Sequence, residues 1–243
     1  MNFRLLLATA RRVLTQLSHD PRTVTMLVAV PSLLMIMLRY VFDSAAFFDH
    51  IAPALLGFFP FLMMFLITSI TMLRERTSGT LERLLTTPMG KLDLLGGYGL
   101  AFSVIAALQV VLAVLISLAL GLSVAGSIAW LLIVALLNAL LGLAFGLLAS
   151  AFARSEFQAV QFMPVVVLPQ LLLCGLFHPR AEMATVLRWA SDVMPLSYAV
   201  DALRRATAAS SLSGTYWRDV LIVLGCALAG LGLAAATLRR RTD

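Results

Sequence analysis

Six apolar runs, each close to the roughly 20 residues that a helix needs to cross a bilayer core, constrain this chain more than any other feature: residues 24–42, 51–73, 96–120, 128–152, 157–177 and 220–238. Hydrocarbon offers no water to peptide N–H and C=O groups, and a helix satisfies them from within its own segment. The runs therefore predict an all-α integral membrane protein. With 61% hydrophobic and only 12% charged residues, a soluble globule is excluded.

The formal charge of +6 could serve nucleic acid, but the arginines sit mostly at the edges of the apolar runs and form no single patch. They read as topology signals and contacts to membrane lipid, with no nucleic-acid partner. Cys174 and Cys226 lie inside apolar stretches and offer neither a disulfide framework nor a CxxC site. At the N-terminus, Arg11 and Arg12 break the apolar residues and no small-residue cleavage site follows, so this segment is expected to be retained.

Residues 2–18 place Phe3, Leu6, Leu7, Ala10, Val13, Leu14 and Leu17 at helical spacing, with Arg4, Arg11, Arg12 and Gln16 off that face. That pattern predicts an interfacial helix lying along the membrane surface. Asp20-Pro21 ends it, and Arg39 near the far end of the first span is placed to snorkel to the interface. Pro164 and Pro169 interrupt the fifth span and are expected to kink it. Residues 178–219 are mixed: Met183, Val186, Leu187 and Ala190 predict one short helix, and Tyr198 to Ala206 another, with Pro195 as a turn between them. This outer segment reads either as surface helices or as a re-entrant pair.

Orientation follows from Lys and Arg beside the short loops. Arg4, Arg11, Arg12, Arg22, Arg74, Arg76, Arg83, Lys91, Arg154, Arg239, Arg240 and Arg241 fall on one side, whereas 43–50 and 121–127 contain neither residue type. Both termini and the segment after the second span are thus expected in the cytoplasm. The outer segment carries Arg180, Arg188, Arg204, Arg205 and Arg218 against this trend, as longer loops can.

The segment Arg74 to Pro88, RERTSGTLERLLTTP, is a polar island between two spans. Leu81, Leu84 and Leu85 fall at helical spacing, while Thr77, Ser78 and Thr80 can cap a helix start around Gly79. From the residues alone, a solvated loop and a short docking helix both stay open.

Here the chain resembles the ABC-2 family of permeases, the membrane subunits of one class of ATP-binding cassette exporters that includes daunorubicin-resistance-like pumps. The resemblance rests on Arg74, Glu75, Gly79, Thr80, Leu81, Glu82, Leu84, Leu85, Thr87 and Pro88, and on the stretch Met194 to Arg204 around Pro195 and Tyr198. It covers the layout of residues 1–243 as a single transmembrane domain. It implies six transmembrane helices, a cytoplasmic coupling helix within 74–93, and short outer or re-entrant helices before the last span. It also implies a cassette ATPase seated on the island, with Arg74, Glu75, Glu82 and Arg83 in charged contacts and Leu81, Leu84 and Leu85 in an apolar groove. ATP and Mg²⁺ would bind that ATPase, and the permease would pair as a homodimer or heterodimer around spans one, two and five.

No GxxxxGK[ST], HExxH or GxSxG occurs, and His19, His50 and His178 are scattered, so the chain shows no catalytic, cofactor or metal motif. Polar residues inside spans are candidates for a substrate path, namely Gln109, Asn138, Gln161 and Gln170, with Gln158 beside them; ordinary interhelical hydrogen bonding explains them equally well. The absence of mid-span carboxylates argues against ion-coupled transport. The expected cargo is a small amphipathic molecule, drug-like or lipid-like; export of a polysaccharide or lipid-linked glycan, and a non-transporting scaffold, are the alternatives. Gly142 and Gly146, and Gly232 and Ala236, are spaced for close helix packing, within the chain or across a dimer.

The topology is checked with Ser127→Cys and Ser78→Cys, each in a background lacking Cys174 and Cys226. An impermeant maleimide added to intact cells is expected to label the first and to reach the second only after the membrane is opened.

Overall fold

The computed structural model describes residues 3–78, 91–209 and 213–237. Among them lie nine α-helices: α1 (Phe3–Ser18), α2 (Pro21–Val41), α3 (Ala45–Thr77), α4 (Lys91–Ala119), α5 (Ile128–Phe152), α6 (Glu156–Leu173), α7 (Thr185–Val193), α8 (Pro195–Ala208) and α9 (Gly214–Thr237), with a 3₁₀ turn at Arg180–Glu182. There is no strand among the described residues. Five stretches are long and apolar enough to cross a membrane: α3, Gly96–Ala119 of α4, α5, α6 and α9. In α2, where the first span is expected, the described apolar stretch Thr25–Val41 is shorter.

Several boundaries differ from the sequence reading. α3 begins at Ala45, so Asp49 and His50 are helical and not part of a loop; Ser44 caps its start, the hydroxyl accepting from Phe47 N at 3.3 Å. The helix also runs on to Thr77, carrying Arg74 and Glu75 out of the expected island and onto its last turn. At 1.5 Å per residue these 33 residues span about 50 Å, more than a bilayer core requires, so both ends project with their polar residues. α6 stops at Leu173 and not at Phe177, and Gly175 then turns the chain with φ +86°, a conformation that favours glycine. The helix continues past both Pro164 and Pro169.

α3 is the centre of the bundle. It packs along α5 and also meets α2, α4, α6 and α8, burying Phe61, Met64, Phe65 and Met72 completely. Gly142 and Gly146 on α5 face it: a Cβ at Gly146 would stand 2.5 Å from the Phe65 carbonyl oxygen, and one at Gly142 closer still to that of Phe61. The glycine pair therefore joins two helices of the same chain, settling an alternative the spacing left open. Gly232, by contrast, has nothing within 4 Å of a Cβ position, and Ala236 is exposed.

α1 lies against α4 with Leu6, Thr9, Ala10, Val13 and Leu17 buried, close to the expected face, although Phe3 and Leu7 remain exposed. Gly97 permits this approach, since its Cβ would come 2.5 Å from Thr9 Cβ. Arg39 is not limited to snorkelling: its Nε donates to Leu120 O at 3.1 Å, closing the C-terminal end of α4. α8 is enclosed by α3, α5 and α9, with nine of its residues from Pro195 to Thr207 buried.

Gly142→Leu must push α5 off α3, and is expected to destabilise the chain by about 3 kcal/mol or more. Gly232→Leu should leave the unfolding temperature in detergent unchanged within about a degree, because its side chain enters open space. Equal melting of the two variants would contradict this packing.

Candidate functional site

The polar end of α3 is where the sequence placed the coupling residues, and the structure describes the first two. Glu75 is 5% exposed and points inward. Arg12 of α1 reaches it, Nη2 to Oε1 at 3.4 Å, while the same guanidinium nitrogen donates to Tyr98 Oη of α4 at 2.5 Å and its carbon lies 5.8 Å from the Tyr98 ring centre. One arginine thus joins α1, α3 and α4. The other carboxylate oxygen, Glu75 Oε2, has no hydrogen-bond partner among the described residues.

Arg74 turns the opposite way and grips Glu156 at the start of α6 with two parallel bonds, Nε to Oε1 at 2.7 Å and Nη2 to Oε2 at 3.0 Å. Both side chains are at least half exposed, so the pair orients more than it stabilises. Ser155 caps α6 by accepting from Gln158 N at 3.2 Å, and Gln158 Oε1 accepts from Arg154 N at 2.8 Å. Glu156 can therefore be presented to Arg74 by a helix start built for it. Between α1, α3 and α6 these residues border a cleft of about 740 Å³. Gly79, Thr80, Leu81, Glu82, Arg83, Leu84, Leu85 and Pro88 lie outside the described residues.

Sequence reasoning missed Arg12, Tyr98 and Glu156 as partners. Arg12 was read as a surface charge because it falls off the apolar face of α1, and nothing in linear spacing links position 12 to 75 and 98. The one local signal is Tyr98 itself, a polar-tipped ring between Gly97 and Gly99 where α1 comes close.

The four polar candidates inside spans separate into different situations. Asn138 Nδ2 donates to Gly57 O at 2.5 Å and ties α5 to α3. Gln170 donates to Val166 O at 3.1 Å and accepts from Leu196 N at 3.3 Å, which holds α6 to the first turn of α8. Gln161 is exposed on α6. Gln109 is 2% exposed on α4, with neither amide atom hydrogen-bonded to the described residues. The structure does not bring the four together.

At the other end, Pro195 occupies the first turn of α8, and Tyr198 Oη donates to Asp192 O at 2.6 Å. Tyr198 belongs to a network organised by Arg180, which binds Ser191 Oγ at 2.7 Å and Asp192 and Asp201 at 2.5 Å each, and stacks 5.3 Å from the Tyr198 ring centre. Asp219 of α9, fully buried, is held by Arg205 and by Arg218 at 2.9 Å. Among the described residues, no group of three His, Cys, Asp or Glu side chains is placed to hold a metal ion.

These features describe a multi-pass membrane protein whose apolar helices are bolted together by a few charged joints at their ends. The profile of the ABC-2 type transporter family matches residues 4–207. The chain belongs to that family. It is 28% identical over 214 residues to the probable multidrug ABC transporter permease YbhS of Escherichia coli (strain K12), covering 87% of this chain and 57% of that protein. It is 25% identical over 194 residues to the probable multidrug ABC transporter permease YbhR of the same strain, covering 79% of this chain and 52% of that one. ABC transporter G family member 20 of Dictyostelium discoideum matches at 25% over 162 residues, 66% of this chain and 22% of that protein. The chain thus spans about half the length of the bacterial relatives it matches.

The three-way joint is tested by a double-mutant cycle in detergent. Arg12→Met alone strands a buried carboxylate, whereas Arg12→Met with Glu75→Met removes both charges. The pair is expected to be the more stable protein, with a coupling energy of about 1–3 kcal/mol. Arg74→Ala should cost less than about 1 kcal/mol.

Proposed function

We propose that this chain is the permease subunit of an ABC exporter that moves a small amphipathic molecule, drug-like or lipid-like, outward across the cytoplasmic membrane. In this reading the termini and the Arg74–Pro88 segment face the cytoplasm, and a separate cassette ATPase binds ATP and Mg²⁺. Two permease chains, identical or similar, pair across the membrane. Membership of the ABC-2 family supports a transport role, and the word multidrug in the names of YbhS and YbhR supports a drug-like cargo.

The observation that carries the reading is the way the end of α3 is tied. The segment expected to meet the ATPase leaves α3 shortly after Arg74 and Glu75; Arg74 is bonded to α6, and Glu75 to Arg12 of α1, which in turn bonds Tyr98 of α4. A displacement of the segment therefore acts at once on four helices, three of which, α3, α4 and α6, carry membrane-length stretches. Rigid helices joined at such points can move as bodies. Arg74 and Glu75 then act as positioning residues at the base of the coupling segment, while Leu81, Leu84 and Leu85 fill the ATPase groove.

Pairing is supported by what the bundle leaves uncovered. α2 exposes Met26, Leu33, Met37 and Tyr40, and α6 exposes Phe157, Val165 and Leu172. Both helices contact α3, so a partner covering them would place spans one and five at the interface, with span two, mostly buried within the chain, behind them.

Leu84→Asp is the test. In vesicles containing the permease and its ATPase, the variant is expected to insert normally, to lose most ATP-dependent cargo uptake and to retain less ATPase on purification. Normal uptake by the variant would overturn the coupling role. A parent chain that retains no cassette ATPase would instead support a scaffold.

A further inference from the structure

α6 packs along α3 far more than along α5, although α5 and α6 are consecutive in the chain. A groove of about 320 Å³ is left open between them. Its walls are Phe145, Leu148, Ala149 and Phe152 of α5 and Phe162 and Val166 of α6, with no polar side chain among them. Both helices are membrane-length stretches, so the groove lies at the depth of the hydrocarbon. On α6, Phe162 and Val166 fall about a third of a turn from Phe157, Val165 and Leu172, which sets the groove apart from the surface assigned to a partner chain.

The two ends of the groove differ. Phe145 at the deep end is fixed, because its ring meets Phe61 edge-on with centres 6.0 Å apart and Gly230 of α9 lies against it. Phe152, at the last turn of α5, is 64% exposed. Seven residues at 1.5 Å each separate these rings by about 10 Å, roughly two thirds of the depth of one leaflet. Arg154 follows Phe152 by two residues, in the turn to α6. It is exposed, and its guanidinium makes no ion pair among the described residues. The nearest carboxylate in the chain, Glu156, is already gripped by Arg74 with two bonds.

We propose that this groove holds an acyl chain of a phospholipid whose phosphate sits on Arg154. The walls offer a sugar or a charged body nothing to bind, whereas an alkyl chain fills them without leaving any polar group unpaired. A guanidinium at the open end supplies the paired donors that a phosphate accepts. Seated there, the lipid joins α6 to α5 where their own side chains leave space. The site is independent of what the chain transports.

The experiment strips the purified full chain of lipid in detergent, titrates it with dioleoyl phosphatidylglycerol and counts bound lipid by native mass spectrometry. Dioleoylglycerol, the same two chains without the phosphate, is the control. The expected result is one phosphatidylglycerol per chain held at least about tenfold more tightly than further copies, with dioleoylglycerol about fivefold weaker at that site, the scale of one arginine at an anionic lipid surface. Arg154→Gln, an exposed change that leaves the fold alone, should weaken phosphatidylglycerol about fivefold and leave dioleoylglycerol unchanged, and Arg154→Lys should recover most of the loss. Ala149→Trp fills the groove and should abolish the tight site, whereas Gly232→Trp adds the same bulk in open space on α9 and should not. Should Ala149→Trp aggregate, Val166→Trp from the facing wall carries the same expectation. A parent chain with no tight lipid, equal binding of the two lipids, or a tight site that survives the tryptophan in the groove overturns the proposal. Loss of dimer without loss of lipid in that variant also overturns it and assigns the groove to a second copy of the chain.

Discussion

Close approach of α5 to the backbone of α3 is the contact on which the rest of the bundle depends. In a bilayer, apolar side chains gain little by exchanging lipid for another helix, so association relies on close packing and a small number of hydrogen bonds. Gly142 and Gly146 let α5 reach the carbonyls of Phe61 and Phe65, and Asn138 adds a bond to Gly57 O one turn along the same face. The bareness of Gly57 matters in turn, because Leu203 and Val200 of α8 pack where its Cβ would be, at 3.0 and 3.3 Å. α9 docks on the other side of α5, with Gly230 facing Ala144 and Phe145. The bundle is assembled outward from one pair of helices whose backbones nearly touch.

Charge is scarce in this chain, and most of what the structure describes is used at joints between elements. Arg12 connects α1, α3 and α4; Arg74 connects α3 and α6; Arg180 gathers the 3₁₀ turn, α7 and α8; Asp219 connects α8 and α9. Even the short turn between α4 and α5 is held this way, with Asp49 accepting from Ser123 N and Oγ at 2.8 Å each. Such pairs contribute modestly to stability where exposed, but they fix which helix ends move together. That is the property the proposed coupling to a separate ATPase would require of the helix ends, and it follows from placing ion pairs where apolar packing gives out.

The same logic explains which expectations could be drawn from linear sequence. Helical periodicity is a local property, so the face of α1 and the location of the long apolar helices were legible. Helix ends were less so: hydropathy marks where a helix leaves lipid, not where it stops, and α3 runs beyond its apolar part at both ends. Polar residues within spans could be found but not interpreted, because Asn138 and Gln170 take their meaning from partners 81 and 26 residues away. Glu75 illustrates the limit best. As a residue of a charged island it reads as a surface contact, yet its carboxylate is turned inward by an arginine 63 positions earlier.

By itself the sequence determined that this chain is helical and membrane-embedded, that it has the pattern of an ABC-2 permease, and that its charge is concentrated between and beside the spans. These follow from composition, period and local motif, which need no knowledge of neighbours. Only the tertiary structure decided that the Gly142 and Gly146 pair closes α3 onto α5 within one chain, that Glu156 and Arg12 tie the adjacent Arg74 and Glu75 to different helices, and that a cleft opens beside them. The reason is physical: packing and ion pairing act over a few ångströms, and the residues concerned are brought within that range only when the helices have taken their places.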